Sequence, residues 1–232
     1  MNRRNIVIGL GVVAAGAAAG GAWTLLNREP GTPPVASTAP GAEPGSMATA
    51  ASSGQMPIFE DDHILGAAEA PVTIIEYASL TCPHCATFHT ETLPQVKSEW
   101  VDTGGARFVY RHYPLDQLAL RAAAVSECIK GDGFFGFLDV LFSNQEKWSH
   151  AQDPIAAIGQ YAALAGLDKA TFDACMNDAA TLDRIAEKQA DGQARYSIAS
   201  TPSFVVNGTP VVGARGYDEF KAVLEAATTK SS

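Results

Sequence analysis

The sequence predicts an α/β fold with an inserted α-helical subdomain, and three observations carry that expectation. A β-branched run, Val72-Thr73-Ile74-Ile75-Glu76-Tyr77-Ala78, leads into Thr81-Cys82-Pro83-His84-Cys85, and a helix-competent stretch follows directly. Residues 114–196 then exchange strand-like patterning for apolar positions at steps of three and four, the mark of helix faces. From Ser203 the chain returns to β pattern on either side of Asn207-Gly208, a strong hairpin signal.

At 232 residues the chain suits one domain, or one domain with a large insertion, and its 47% hydrophobic content allows a real core. The formal net charge of −9 argues against nucleic-acid binding, which needs a basic face. Residues 1–26 read as an export signal. Asn2-Arg3-Arg4-Asn5 is a basic start, and Ile6 to Leu26 carries no charge and is long enough to span a bilayer. Ala17-Ala18-Ala19 fits a signal cleavage site, and Arg3-Arg4 loosely matches a twin-arginine signal. The expected location is the periplasm, with residues 6–26 retained as an inner-membrane tether in preference to cleavage. Four cysteines, an even count, agree with an oxidising compartment. Residues 27–57 are rich in Pro, Gly, Ala, Ser and Thr, lack an apolar period and read as a linker.

The folded domain is expected over 58–228. Asp61 to Gly66 and Glu69-Ala70-Pro71 form a lead-in with a turn, in which His63 reads as a surface residue. Val72–Ala78 is the first strand, and the helix that begins at Pro83 meets Pro94, which is expected to kink or split it before it resumes through Trp100. Thr103-Gly104-Gly105 turns the chain into a second strand, Arg107 to Tyr113. A strand, a helix and a strand joined by a right-handed crossover place two parallel strands side by side.

Within 114–196, Leu115, Leu118, Ala122, Val125 and Ile129 share one helix face, and Gly131-Asp132-Gly133 ends it. Phe134, Phe137, Leu138 and Leu141 form a second apolar face. Asp153-Pro154 is an N-cap followed by a first-turn proline. Gly166 closes that helix, and Asp168 caps the helix carrying Phe172, Cys175 and Met176. A last helix runs from Leu182 to about Ser197. Cys128 and Cys175 fall on these helix faces, either as buried free thiols or as a structural disulfide, and the oxidising compartment favours the disulfide. The chain then forms a hairpin, Ser203–Val206 with Pro210–Gly213, and a closing helix from Tyr217 to Ala227. Thr201-Pro202, entering the first arm, is a candidate cis peptide.

The chemistry concentrates at Cys82 and Cys85. The first turn of a helix has unpaired N–H groups and partial positive charge, so a thiolate there is stabilised and its pKa falls. Pro83 suits the first helical position. His84 adds a donor and a positive charge beside the sulfur. Cys82 is therefore the expected nucleophile and Cys85 the resolving thiol. The alternatives are an inert disulfide or a zinc or copper site that recruits His89, but no second ligand pair of matching spacing is present.

Cys82-Pro83-His84-Cys85 after a strand, a helical insertion, Thr201-Pro202 and a hairpin together resemble the DsbA family of periplasmic thiol:disulfide oxidoreductases, over roughly 58–228. The resemblance implies a thioredoxin-like fold. It implies that Thr201 and Pro202 are a substrate-binding cis-proline pair opposite Cys82, and that Glu76 is a buried acid taking a proton from Cys85. It further implies disulfide donation to reduced or misoxidised exported proteins, re-oxidation by a membrane redox partner of the DsbB type, and a redox-active disulfide with no metal or organic cofactor. Thr201 departs from the best-known DsbA proteins and is more typical of the isomerases DsbC and DsbG, which dimerise through an N-terminal domain. Residues 27–57 resemble no such domain, so a monomer is expected. The alternatives that stay open are a membrane-tethered reductase or isomerase of the same fold and a copper-binding chaperone.

Overall fold

The structure, a computed structural model, describes residues 56–131 and 133–230. The expected signal or anchor at 1–26, nearly all of the linker, and Asp132 lie outside the described residues. Five strands make one sheet in the order β1-β3-β2-β4-β5. They are β1 (His63–Leu65), β2 (Val72–Ala78), β3 (Ala106–His112), β4 (Ser203–Val206) and β5 (Thr209–Val212). β2 and β3 run parallel, as the strand-helix-strand reading requires, and the other pairings are antiparallel.

Side chains alternate between the two faces of a strand, and both faces of β2 are covered, so all seven of its residues are buried. Ile74, Ala78, Phe108, Tyr110 and Phe204 belong to one core, with Cys85, Phe88 and the aromatic residues of the insertion. Ile75, Tyr77, Val109 and Val205 belong to a second core, with Met56 and Ile198. By the same parity Glu76 lies on the first face, in register with Tyr110 on β3 and Phe204 on β4. That face is the one covered by the cysteine helix.

The cysteine helix is segmented. It opens as α1 (Pro83–Thr87), passes through a π-helical turn at Phe88–Thr92, continues as α2 (Leu93–Val96) and ends in a second π turn at Lys97–Val101. Pro94 has no N–H, and its ring collides with the carbonyl four residues back. The widened turn, closed by Leu93 N–H donating to Phe88 O, relieves that conflict, and helical residues continue in segments without a gap from Pro83 to Val101.

The insertion comprises α3 (Gln117–Glu127), α4 (Gly133–Ser143), α5 (Gln145–Ser149), α6 (Pro154–Leu164), α7 (Lys169–Met176) and α8 (Ala179–Tyr196). Four N-caps are aspartates, Asp116, Asp153, Asp168 and Asp178, each accepting a backbone N–H from its own first turn. Helix α5 has too short an apolar pattern to be legible in the sequence; Trp148, fully buried, anchors it by donating from Nε1 to Leu141 O at 2.7 Å. Helix α8 crosses the second face of the sheet at Gly192, where an added Cβ would lie 2.5 Å from the Tyr77 ring. The closing helix is α9 (Tyr217–Lys230).

Two features of the lead-in differ from expectation. His63 is only partly exposed: it sits on an edge strand, its ring stacks on Phe134 at 3.4 Å, and its Nε2 lies 2.8 Å from Glu127 Oε2. Packing begins already at Met56, which is buried. Arg111, buried on β3, holds this segment by donating to Asp62, to Pro57 O and to the Tyr77 hydroxyl, with its guanidinium 4.4 Å over the Phe59 ring.

Candidate active site

Cys82 is the N-cap of α1 and Pro83 its first residue, so the strand-to-helix turn delivers the sulfur to the start of the helix. The sulfur faces three sets of donors: the Cys85 thiol, the side chain of Thr201, and the backbone N–H groups of Cys85 and His84. Together they outweigh the effect of burial and lower the Cys82 pKa from an ordinary 9.0 to about 5. Cys85 lies below, fully buried. Burial first, then the hydrogen bond to Cys82 and the negative charge of Glu76, push its pKa far upward. One thiol is thus ionised at neutral pH and its neighbour is held protonated.

His84 is exposed. Its backbone N–H is one of the donors that lower the Cys82 pKa, after the Cys85 thiol and Thr201. The Thr201-Pro202 peptide is cis. It lies against the active sulfur, since in its thiol form Cys82 Sγ donates to Thr201 O at 3.3 Å. The Thr201 hydroxyl is buried without another partner, which leaves it free to donate to the thiolate. Pro202 O accepts from Gly213 N–H at 2.9 Å, tying the cis-proline loop to the end of β5.

Glu76 is fully buried, and its partner is His89, whose Nε2 lies 2.9 Å from Glu76 Oε2. Glu76 reaches Cys85 through its charge, not through a hydrogen bond. His89, weighed from sequence only as a metal ligand, is thereby engaged. Among the described residues no group of three or more His, Cys, Asp or Glu is placed to hold a metal ion. Cys128, at the C-cap of α3, and Cys175 in α7 form a disulfide with an S–S distance of 2.01 Å. Cys82 and Cys85 are the free cysteines.

Sequence reasoning missed two residues. Gln145, buried at the start of α5, donates from Nε2 to Leu80 O at 2.8 Å and to Cys82 O at 2.9 Å. It fastens the helical insertion to the loop that carries the nucleophile candidate. Asp116, beyond capping α3, accepts from the Thr81 hydroxyl at 2.7 Å. A glutamine is an unremarked polar residue in a sequence; only its burial against two carbonyls gives it meaning.

A mixed five-stranded sheet, a dithiol at a helix start opposite a cis-proline, and helices inserted between β3 and β4 define a thioredoxin-fold dithiol protein. The comparisons agree. A family model described as Thioredoxin matches residues 59–226, and the chain belongs to that family. Among solved structures it is similar to alpha-DsbA1 of Wolbachia pipientis, with 29% identity and a TM-score of 0.70 over 75% of this chain and 94% of that one. It is 27% identical to "Disulfide bond formation protein D" of Bacillus subtilis over 75% of this chain and 79% of that protein. It is 34% identical to a Rickettsia prowazekii protein named "Putative protein-disulfide oxidoreductase RP025" over 65% of this chain, and it spans only 56% of that relative's length. The likeness to DsbA proteins read from Cys82-Pro83-His84-Cys85 and Thr201-Pro202 therefore holds at the level of family and fold.

Proposed function

We propose that this protein is a thiol:disulfide oxidoreductase that donates disulfides to exported proteins through Cys82 and Cys85. The observation that supports this reading best is the opposed ionisation of the two thiols, with Cys82 lowered to about 5 and Cys85 raised. A stabilised Cys82 thiolate favours the reduced dithiol and makes the disulfide an oxidant.

In this reading a substrate thiolate attacks Cys82 Sγ of the oxidised protein. Its electron pair forms the new S–S bond, and the pair of the old bond leaves on Cys85, which becomes protonated. A second substrate thiolate attacks the substrate sulfur of this mixed disulfide and expels Cys82 as a thiolate. Thr201 and Pro202 would hold the substrate backbone beside the sulfur as an added strand, while Pro83, His84 and Glu76 support the pair and Cys128–Cys175 braces the insertion. The residues that act are all protein groups, so no metal or organic cofactor enters the cycle. The partners are reduced or misoxidised exported proteins and, for re-oxidation, a membrane protein of the DsbB type. The working form is a monomer in the periplasm, tethered by residues 6–26. Among the described residues no helix is long and apolar enough to cross a membrane.

The test is the equilibrium reduction potential of the Cys82–Cys85 couple against glutathione. A value near the DsbA reference of about −120 mV supports an oxidase, and one near the thioredoxin reference of about −270 mV replaces it with a tethered reductase or isomerase. Cys82→Ala abolishes exchange in either case; full activity in that variant would remove the assignment of the nucleophile.

A further inference from the structure

We propose that His89 and Glu76 work as one proton-exchanging pair for Cys85, with His89 passing the proton to and from the groove between the cysteine helix and α4. The proposal deepens the dithiol reading above and rests on it. A carboxylate under the cysteines is what the family resemblance implies; the imidazole and the route are what the structure adds.

The pair sits where both ends of a transfer are available. Glu76 and His89 have side chains 0% and 1% exposed. Only one atom of each is used in the contact between them. Glu76 Oε1 and His89 Nδ1 are buried with no hydrogen-bond partner. A buried ion pair kept only for packing is no better than apolar residues of the same volume, and unpartnered polar atoms make it worse. Those two idle atoms are the ones through which a proton can enter and leave. His89 also lines a surface groove with Thr90, Lys97, Asp139 and Ser143, whereas Glu76 has no surface of its own.

The ionisable groups facing the pair come from each element packed around it. Cys85 and Cys82 lie on the cysteine helix. Tyr110, its hydroxyl buried and unpartnered, approaches the His89 ring edge-on at 5.8 Å from β3, with His112 beyond it. From α4 comes Asp139, and Phe142 stacks on the imidazole at 4.1 Å. Lys97 completes the groove, and Glu127 acts on Tyr110 from α3. Tyr110 and His112 are held neutral by burial, which leaves Glu76 and His89 as the buried pair that can trade a proton without creating net charge.

When a substrate thiolate breaks the Cys82–Cys85 bond, Cys85 leaves as a thiolate. The proton it takes comes from the Glu76 carboxylic acid across a bridging water, since the two side chains share no direct hydrogen bond, and the resulting carboxylate is compensated as His89 gains one proton at Nδ1 from the groove side. The pair passes from acid and neutral imidazole to carboxylate and imidazolium, with no net charge in either state. During re-oxidation Cys85 returns its proton to Glu76, and His89 releases one to the groove.

The experiment uses the full chain, reduced and mixed rapidly with oxidised glutathione. Acid quenching and mass measurement follow the Cys82–glutathione mixed disulfide and its resolution by Cys85 from pH 4 to pH 8. Wild type resolves at a rate that changes little with pH. His89→Phe and Glu76→Gln each slow resolution on the order of 100-fold at the acid end, the low end of what positioned proton transfer contributes. Their rates then rise about tenfold per pH unit as solvent hydroxide takes over, and the double variant is no slower than either single one. His89→Gln, which keeps a donor to Glu76 but cannot relay a proton, is also slow, so the result does not depend on the phenylalanine variant folding. A wild-type pH profile in both His89 variants overturns the proposal, as does a slowing of equal size at every pH, which marks a structural role. A wild-type protein that forms no Cys82 mixed disulfide, or resolves none through Cys85, overturns the dithiol reading and this proposal with it.

Discussion

The strongest quantitative consequence of the site concerns stability against pH in the two redox states. Only the reduced protein has a Cys82 thiol to ionise. Its folded pKa, about 5, lies below the ordinary 9.0. A depressed acid stabilises the fold above its unfolded pKa, and that contribution is lost as pH falls through the folded value. The window is therefore pH 9 down to pH 5. Cys85 does not disturb it: its folded pKa is raised, so its effect begins only above the unfolded value. The full interval of 9.0 to about 5 corresponds to about 5 kcal/mol at 1.36 kcal/mol per pH unit. The flanking Pro83 and His84 are exposed, and solvent screening brings the expected figure to roughly 2–3 kcal/mol. The assay is denaturant unfolding of reduced and oxidised protein at matched pH values. Carboxylates remote from the dithiol titrate in both forms and cancel in the difference, and the Glu76–His89 pair holds the same number of protons in both, so the difference isolates the thiol. The reduced form is expected to lose stability relative to the oxidised form steadily from pH 9 to pH 5, and the difference to level off below. A flat difference across that window would refute the thiolate argument.

Three other outcomes follow from contacts around the site. Thr201→Val removes the hydroxyl that faces the sulfur. A hydrogen bond to a charged group contributes about 1.5–3 kcal/mol, so the Cys82 pKa is expected to rise by about one to two, read from the ultraviolet absorbance of the thiolate against pH. An unchanged titration assigns the stabilisation to the Cys85 thiol and the helix N–H groups. Gln145→Leu strands the carbonyls of Leu80 and Cys82 in the core and is expected to lower unfolding stability by about 2–4 kcal/mol, with a loss under 0.5 kcal/mol (roughly the noise of a surface change) counting against its placement. The Cys128→Ala/Cys175→Ala variant opens a cross-link between residues 47 apart, worth about 4 kcal/mol by chain entropy, while leaving the Cys82 titration in place. A shifted titration in that variant would show that the brace reaches the active site.

The sequence by itself determined whatever depends on neighbours along the chain. The β-branched run of β2, the proline at the first position of α1, the aspartate caps and the Asn207-Gly208 turn are local choices, and each forms the element its residues favour. The dithiol was legible for the same reason, since both cysteines and the helix start that tunes them lie within one turn. One position went astray where tertiary contacts overrode a local signal: His63 became part of an edge strand stacked on Phe134. The regular helix is interrupted around Pro94, as its missing N–H leads one to expect, and the interruption takes the form of π turns. What only the tertiary structure decided are the partnerships across the fold. Glu76 meets His89 because the period of two along β2 turns it toward the cysteine helix. Thr201 meets Cys82 across 119 positions because β4 pairs with β2, and Gln145 reaches the Cys82 loop because the insertion folds back over it. Sheet register and layer packing set those contacts, and no spacing along the chain encodes them.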